Sequence, residues 1–202
     1  MSDVLSNTFA NIADNGNSAA FEMPGDVNDV DVYLADSPTY DSASITAQTS
    51  FDGGTTWVTT TMTAITTGDG YMRSFRCFGK NLRFVTASVA AAGADIDVTV
   101  VAKAVGSTVQ NYNITANGNT EIPVSRPGDV AVFLKGTWDS ASVTMTVSPD
   151  GTLYVDSGET AVTANGGFEY TNTPGNHLFR LVTASAAGVI TDLDVQVYAV
   201  DA

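Results

Sequence analysis

Ala43-Ser44-Ile45-Thr46-Ala47-Gln48-Thr49-Ser50-Phe51-Asp52-Gly53-Gly54-Thr55-Thr56-Trp57 reads as a strand that runs into a hairpin. Ile45, Ala47, Thr49 and Phe51 alternate with Thr46, Gln48 and Ser50, a period of two that turns one face to a core and the other to water. Asp52-Gly53-Gly54 is turn chemistry. The same design returns in the second half of the chain, where Val143, Met145 and Val147 alternate with Thr144 and Thr146 ahead of Asp150-Gly151.

Working outward from that pair, the whole chain reads as a duplication. Asn11-Ile12-Ala13-Asp14-Asn15-Gly16-Asn17 matches Asn113-Ile114-Thr115-Ala116-Asn117-Gly118-Asn119. Pro24-Gly25-Asp26-Val27 recurs as Pro127-Gly128-Asp129-Val130, and Val30-Asp31-Val32-Tyr33-Leu34 as Val130-Ala131-Val132-Phe133-Leu134. Asp41–Thr46 matches Asp139–Thr144, and Arg83-Phe84-Val85-Thr86-Ala87-Ser88 matches Arg180-Leu181-Val182-Thr183-Ala184-Ser185. Asp95-Ile96-Asp97-Val98 matches Asp192-Leu193-Asp194-Val195. The spacing shrinks from 102 (Asn11 to Asn113) to 97 (Asp95 to Asp192), a drift that small loop changes explain. The period is too long for a solenoid or propeller, whose units run about 20–50 residues.

The expected fold is therefore all-β: two tandem β-sandwich domains, of jelly-roll or immunoglobulin-like topology, with about eight short strands each. The expected domains are 1–104 and 105–202, joined near Ala102 to Thr108. Residues 1–7 have no visible counterpart in the second copy and are expected to form an arm. Helical periodicity is absent; only Ser88 to Gly93 could form a single turn.

Composition removes several function classes. The chain has 202 residues, 22 acidic and 8 basic side chains, and a net charge of −14, so gripping a phosphate backbone is disfavoured and no nucleic-acid partner is expected. The longest apolar run, Ser88 to Ala94, falls short of the roughly 20 residues of a membrane span, so no membrane partner is expected. Met1 to Ala10 has neither a basic start nor an apolar stretch, so no signal peptide is expected. One cysteine cannot form an internal disulfide, which fits assembly in a cytoplasm. One histidine excludes a site needing two.

The chemistry-bearing residues are few. His177 reads as a loop or strand-edge residue, since no nucleophile or orienting carboxylate is marked beside it. Cys77 reads as a small buried hydrophobe. Asp95/Asp97 and Asp192/Asp194 put paired carboxylates on one strand face, about 7 Å apart, a spacing open to Ca²⁺ or to glycosidase chemistry. Their solvent-facing phase instead suggests solubility and a guard against edge-to-edge aggregation. Asp52-Gly53-Gly54 and Gly166-Gly167 read as hairpin turns rather than phosphate cradles. The expected catalytic, cofactor and metal sites are none. Interface candidates are Val4 and Leu5 in the arm, Trp138 in the apparent turn Lys135–Asp139, and Tyr40 in the matching region of the first copy.

Ser50-Phe51-Asp52-Gly53-Gly54-Thr55-Thr56-Trp57, followed by Asn81-Leu82-Arg83-Phe84-Val85-Thr86, resembles the hairpin and strand of small β-sandwich proteins from tailed-phage virions, among them capsid decoration (cement) proteins and fibre or adaptor modules. The second copy departs from the pattern: Ser148-Pro149-Asp150-Gly151-Thr152-Leu153-Tyr154 has a shorter turn, and Tyr replaces Trp. The resemblance implies a non-enzymatic virion structural protein on the outer capsid surface, assembled in the host cytoplasm. Its expected partners are the major capsid protein and further copies of itself, with a trimer favoured. The alternative is a carbohydrate- or receptor-binding module of the tail-fibre or adaptor type. A hydrolase built on the Asp pairs is a third and weaker reading.

Overall fold

The computed structural model describes residues 4–9, 16–34, 43–66, 72–87, 97–123, 128–138, 140–172, 178–185 and 192–200, which are strands and their connections with no helix among them. The chain divides into two compact units, Met1–Val105 and Gly106–Ala202.

The first unit holds β1 (Val4–Phe9), β2 (Gly16–Asn17), β3 (Phe21–Glu22), β4 (Val27–Leu34), β5 (Ser44–Ser50), β6 (Val58–Thr59), β7 (Met72–Phe78), β8 (Asn81–Ala87) and β9 (Val98–Ala104). The second holds β10 (Ser107–Ile114), β11 (Gly118–Pro123), β12 (Gly128–Thr137), β13 (Ala141–Ser148), β14 (Val155–Asp156), β15 (Gly166–Asn172), β16 (Leu178–Ser185) and β17 (Asp192–Val200). The first unit's sheets run β1-β9-β4-β7 and β2-β8-β5-β6, with β3 also on β8; the second unit's run β10-β17-β12-β15 and β11-β16-β13-β14. With β2 and β3 taken as one interrupted strand, the described residues of each unit form eight strands ordered 1-8-3-6 and 2-7-4-5. That order is the jelly roll, two interlocked Greek keys, and it decides between the two topologies that alternation left open.

Register shows the duplication at the level of single residues. Val32 lies opposite Val100 and Val30 opposite Ala102; Val132 lies opposite Val197 and Val130 opposite Ala199. Ile45 faces Thr86 as Val143 faces Thr183. Val130 is thus the equivalent of Val30. The recurrence of Pro24-Gly25-Asp26-Val27 in the second copy is accordingly three residues out of register.

Each sandwich encloses its own core. The first packs Val30, Val32, Leu34, Ile45, Ala47, Leu82, Phe84, Val98 and Val100, and Cys77 joins them as the small buried hydrophobe its sequence context suggested. The second packs Val130, Val132, Leu134, Val143, Met145, Phe179, Leu181, Val195 and Val197. A buried polar side chain stitches the entry to β4. Asn28 Oδ1 accepts the Gly25 N–H at 3.0 Å and its amide donates back to the Gly25 carbonyl at 2.8 Å, satisfying both ends of a side chain removed from water.

Three sequence expectations are corrected or narrowed here. Residues 4–7 are not an arm: they belong to β1, which pairs along its whole length with β9, from Val4 opposite Lys103 to Phe9 opposite Val98. Their counterpart is β10, which lies against β17 in the same way. The two units join within the expected stretch from Ala102 to Thr108, but the connection is only Val105-Gly106, because β9 runs to Ala104 and β10 begins at Ser107. Gly166-Gly167 is not a turn but the start of β15. A Cβ on Gly167 would run into the Val132 carbonyl oxygen and the Phe133 ring, so glycine is there to let the neighbouring strand close in.

Candidate functional site

The hairpin after β5 is held by its own side chains. Asp52 Oδ1 accepts the backbone N–H groups of Thr55 (3.1 Å) and Thr56 (2.7 Å) and the Ser50 hydroxyl (3.0 Å), while Ser50 Oγ accepts the Gly54 N–H at 2.8 Å. Asp and Ser close such turns because their short side chains reach backbone donors that no strand partner satisfies. The turn delivers Trp57, whose indole N–H donates to the Gly54 carbonyl at 2.9 Å.

The second copy repeats the device with one residue fewer. Asp150 Oδ1 accepts the N–H groups of Thr152 (2.8 Å) and Leu153 (3.0 Å), and Ser148 Oγ accepts that of Gly151 (2.9 Å). The Leu153 and Thr152 N–H groups, with the Ser148 hydroxyl behind them, hold the Asp150 carboxyl below the usual carboxylate range.

On the solvent face, register then brings an arginine over each aromatic ring. Arg83 of β8 lies opposite Gln48 of β5. Its guanidinium stacks on Trp57 at 4.1 Å and donates to Gln48 Oε1 from Nε (2.9 Å) and Nη2 (2.7 Å). Arg180 of β16 stacks on Tyr154 at 3.3 Å and donates from Nη2 to Glu121 Oε1 at 2.9 Å, an oxygen that also accepts the Tyr154 hydroxyl at 3.2 Å. The Arg180 and Tyr154 hydrogen bonds hold the Glu121 carboxyl low. Each unit therefore carries an Arg–aromatic stack on the outer face of its second sheet. The hairpin motif was legible in the sequence. Its arginine was not singled out as a partner, because only strand pairing brings it there.

The remaining candidates separate. Trp138 follows directly on β12, which runs through Thr137, so the segment Lys135–Thr137 is strand rather than turn. The Trp138 ring is half-buried against the second core, and its indole N–H donates to Asn165 Oδ1 at 2.9 Å, an oxygen that also accepts the Gly136 N–H at 3.0 Å. Val4 and Leu5 are 56% and 42% exposed on the edge strand β1. Asp192 and Asp194 both face solvent, as their phase suggested, and share the Asn113 amide, at 2.6 and 3.3 Å. Among the described residues no group of three or more His, Cys, Asp or Glu is placed to hold a metal ion. Tyr40, Asp95 and His177 lie outside the described residues.

One surface escaped the sequence reading. On the outer side of β12 and β17, where the first unit has Asp31, Tyr33, Val101 and Lys103, the second has Ala131, Phe133, Tyr198 and Val200, all buried. Phe133 and Tyr198 meet edge to face at 5.6 Å. Both faces of this sheet centre are apolar, and alternation does not reveal a strand that is buried on both sides.

No family model and no curated protein matches the chain. Solved structures do. The PBSX exported protein XepA superposes with a TM-score of 0.33 at 12% identity, covering 98% of this chain and 86% of its own. A turret protein of Sulfolobus turreted icosahedral virus gives 0.29 at 11% identity with 100% of both chains covered. The CBM22-1-CBM22-2 tandem domain of Paenibacillus barcinonensis Xyn10C gives 0.28 at 9% identity, covering 98% of this chain and 92% of its own.

Proposed function

We infer that the chain is a virion structural protein of the capsid decoration type, bound outside a phage head by the major capsid protein and stabilising it by bridging neighbouring subunits as a homo-oligomer, a trimer in the first instance. The observation that supports this reading is the hairpin that carries the virion resemblance. It is held by its own side chains in both copies, each time closed by an Asp and a Ser and each time presenting an Arg–aromatic stack on the solvent face. A cement protein acts as a strut. It needs stiff, repeated surface features whose side chains are ordered before contact, because a preorganised group loses less entropy on binding. Arg and aromatic residues are also the side chains that dominate binding interfaces. A charge of −14 suits the outside of a shell packed with DNA rather than its lining.

The test is addition of the purified protein to heads that lack it. Saturable occupancy with a raised temperature of head disruption is expected, and Trp57→Ala or Tyr154→Ala should lower the occupancy. Heads that neither bind the protein nor gain stability overturn the reading. Among the described residues, the glycan-binding alternative would draw on the half-buried aromatics Trp57, Trp138 and Tyr154. Specific binding on a glycan array, lost on Trp57→Ala, would replace the cement reading.

A further inference from the structure

The four sheets have eight lateral edges, and among the described residues six of them are guarded. The edge strand β7 carries Arg73 and Arg76, β15 carries Glu169, and β11 carries Glu121 and Pro123. The edges at β2 and β3, at β6 and at β14 are two-residue strands, and β3 adds Glu22. Charges, proline and brevity are the means by which sheets prevent further strands from adding to them.

Two edges have none of these. β1 (Val-Leu-Ser-Asn-Thr-Phe) and β10 (Ser-Thr-Val-Gln-Asn-Tyr-Asn-Ile) contain no charge and no proline in a chain with 30 charged side chains (22 acidic and 8 basic). They are six and eight residues long, and among the described residues each is paired on one side only. Val4, Leu5, Ser6 and Thr8 are exposed, as are Thr108, Val109, Gln110 and Asn111. Leu5 shares the core-facing phase of its buried partner Ala102 yet is 42% exposed, so the first sandwich stops one strand short of covering it.

The two open edges are the same strand of the duplicated domain. We propose that β1 of one chain adds antiparallel to β10 of the next, so that copies join head to tail through one repeated interface and close into a ring. A second copy is the occupant because its matching edge is likewise uncharged. Elsewhere two chains of −14 charge repel, and along these strands they do not. Pairing β1 with β1 would leave β10 open, and pairing β10 with β10 would leave β1 open. The head-to-tail arrangement consumes both edges once the chain of copies closes, and heterologous contacts form a ring when the rotation from copy to copy closes.

A local two-fold between equivalent strands keeps both cores on the same side of the joined sheet. The register that uses all six β1 residues then sets Leu5 opposite Tyr112, Thr8 opposite Val109 and Val4 opposite Asn113. Main-chain hydrogen bonds supply the affinity, as in strand addition generally, and Leu5 becomes covered.

This inference deepens the homo-oligomer part of the reading above and is tested without capsids, so its failure is separate from failure of the cement role. Light scattering on the purified chain should show an oligomer. Leu5→Asp disables β1 and Val109→Asp disables β10. Both positions are exposed, and circular dichroism should match the native chain. Each variant alone should have the mass of a single chain. Mixed together they should form a dimer, because the intact β1 of one accepts the intact β10 of the other. A native chain that stays monomeric overturns the proposal, as does a Val109→Asp variant that still dimerises by itself, or a mixture that remains monomeric.

Discussion

Asp150 closes its turn as an ionised group, and that sets how its contribution depends on pH. The Leu153 and Thr152 N–H groups and the Ser148 hydroxyl stabilise the carboxylate, so its pKa in the folded chain lies below the unfolded value of about 3.9. A depressed pKa means stability that is fully present above the unfolded pKa and is lost as pH falls through the folded one. Asp150→Asn removes the charge and keeps the shape. The melting-temperature gap between native chain and variant should be widest near neutral pH and should close as the pH drops below about 4. Glu121 and Glu159 titrate in both proteins and cancel in the difference, although their shifts are opposite: Arg180 lowers the first and burial raises the second. A gap that does not change with pH would show that the carboxylate charge contributes nothing. At this scale the sequence is informative where the physics is local. Asp-Gly signals a turn because the aspartate bonds its own neighbours. The stacking of Arg83 on Trp57 is not local: it depends on β8 lying beside β5 in one register, which no short window of residues encodes.

At the scale of elements, alternation identified β5 and β13 because each presents one face to a core. It failed on β1, which contributes mainly backbone hydrogen bonds. Val-Leu-Ser-Asn-Thr-Phe and its structural counterpart Ser-Thr-Val-Gln-Asn-Tyr share little but a final aromatic, since an edge strand is held by its main chain whatever its side chains. It failed again at Gly166-Gly167, where two glycines imitate a turn. Gly167 is small because β12 and the Phe133 ring press against it. Gly167→Ala should therefore cost about 1–3 kcal/mol, the usual range for overpacking, measured by chemical denaturation. Gly166→Ala should cost much less, because its nearest neighbours would lie 3.6 Å from the new methyl group, at ordinary contact distance. Equal effects at the two positions would mean that glycine is needed there for backbone freedom rather than for room.

For the molecule as a whole, duplication followed by divergence is the organising fact. Strand order and register are shared, whereas the outer faces are not: Asp31 and Tyr33 have become Ala131 and Phe133, and Val101 and Lys103 have become Tyr198 and Val200. The cores themselves stayed separate. The first is built from residues between Met23 and Ala102, and the second from residues between Ile114 and Val197. A sandwich of about 100 residues with its own closed core meets the size at which domains fold alone. Separating the chain between Val105 and Gly106 severs no strand, since β9 ends at Ala104 and β10 begins at Ser107. Expressed separately, residues 1–105 and 106–202 should each give a β-type circular dichroism spectrum without helix and a single cooperative melt. Cleavage inside β9 or β10, for example after Val101 or Val109, should instead unfold the half that loses the strand. Loss of folding in both halves after the cut at Val105 would mean that the two jelly rolls depend on each other for stability. Their identical strand order would then be a record of ancestry and no longer of independent folding.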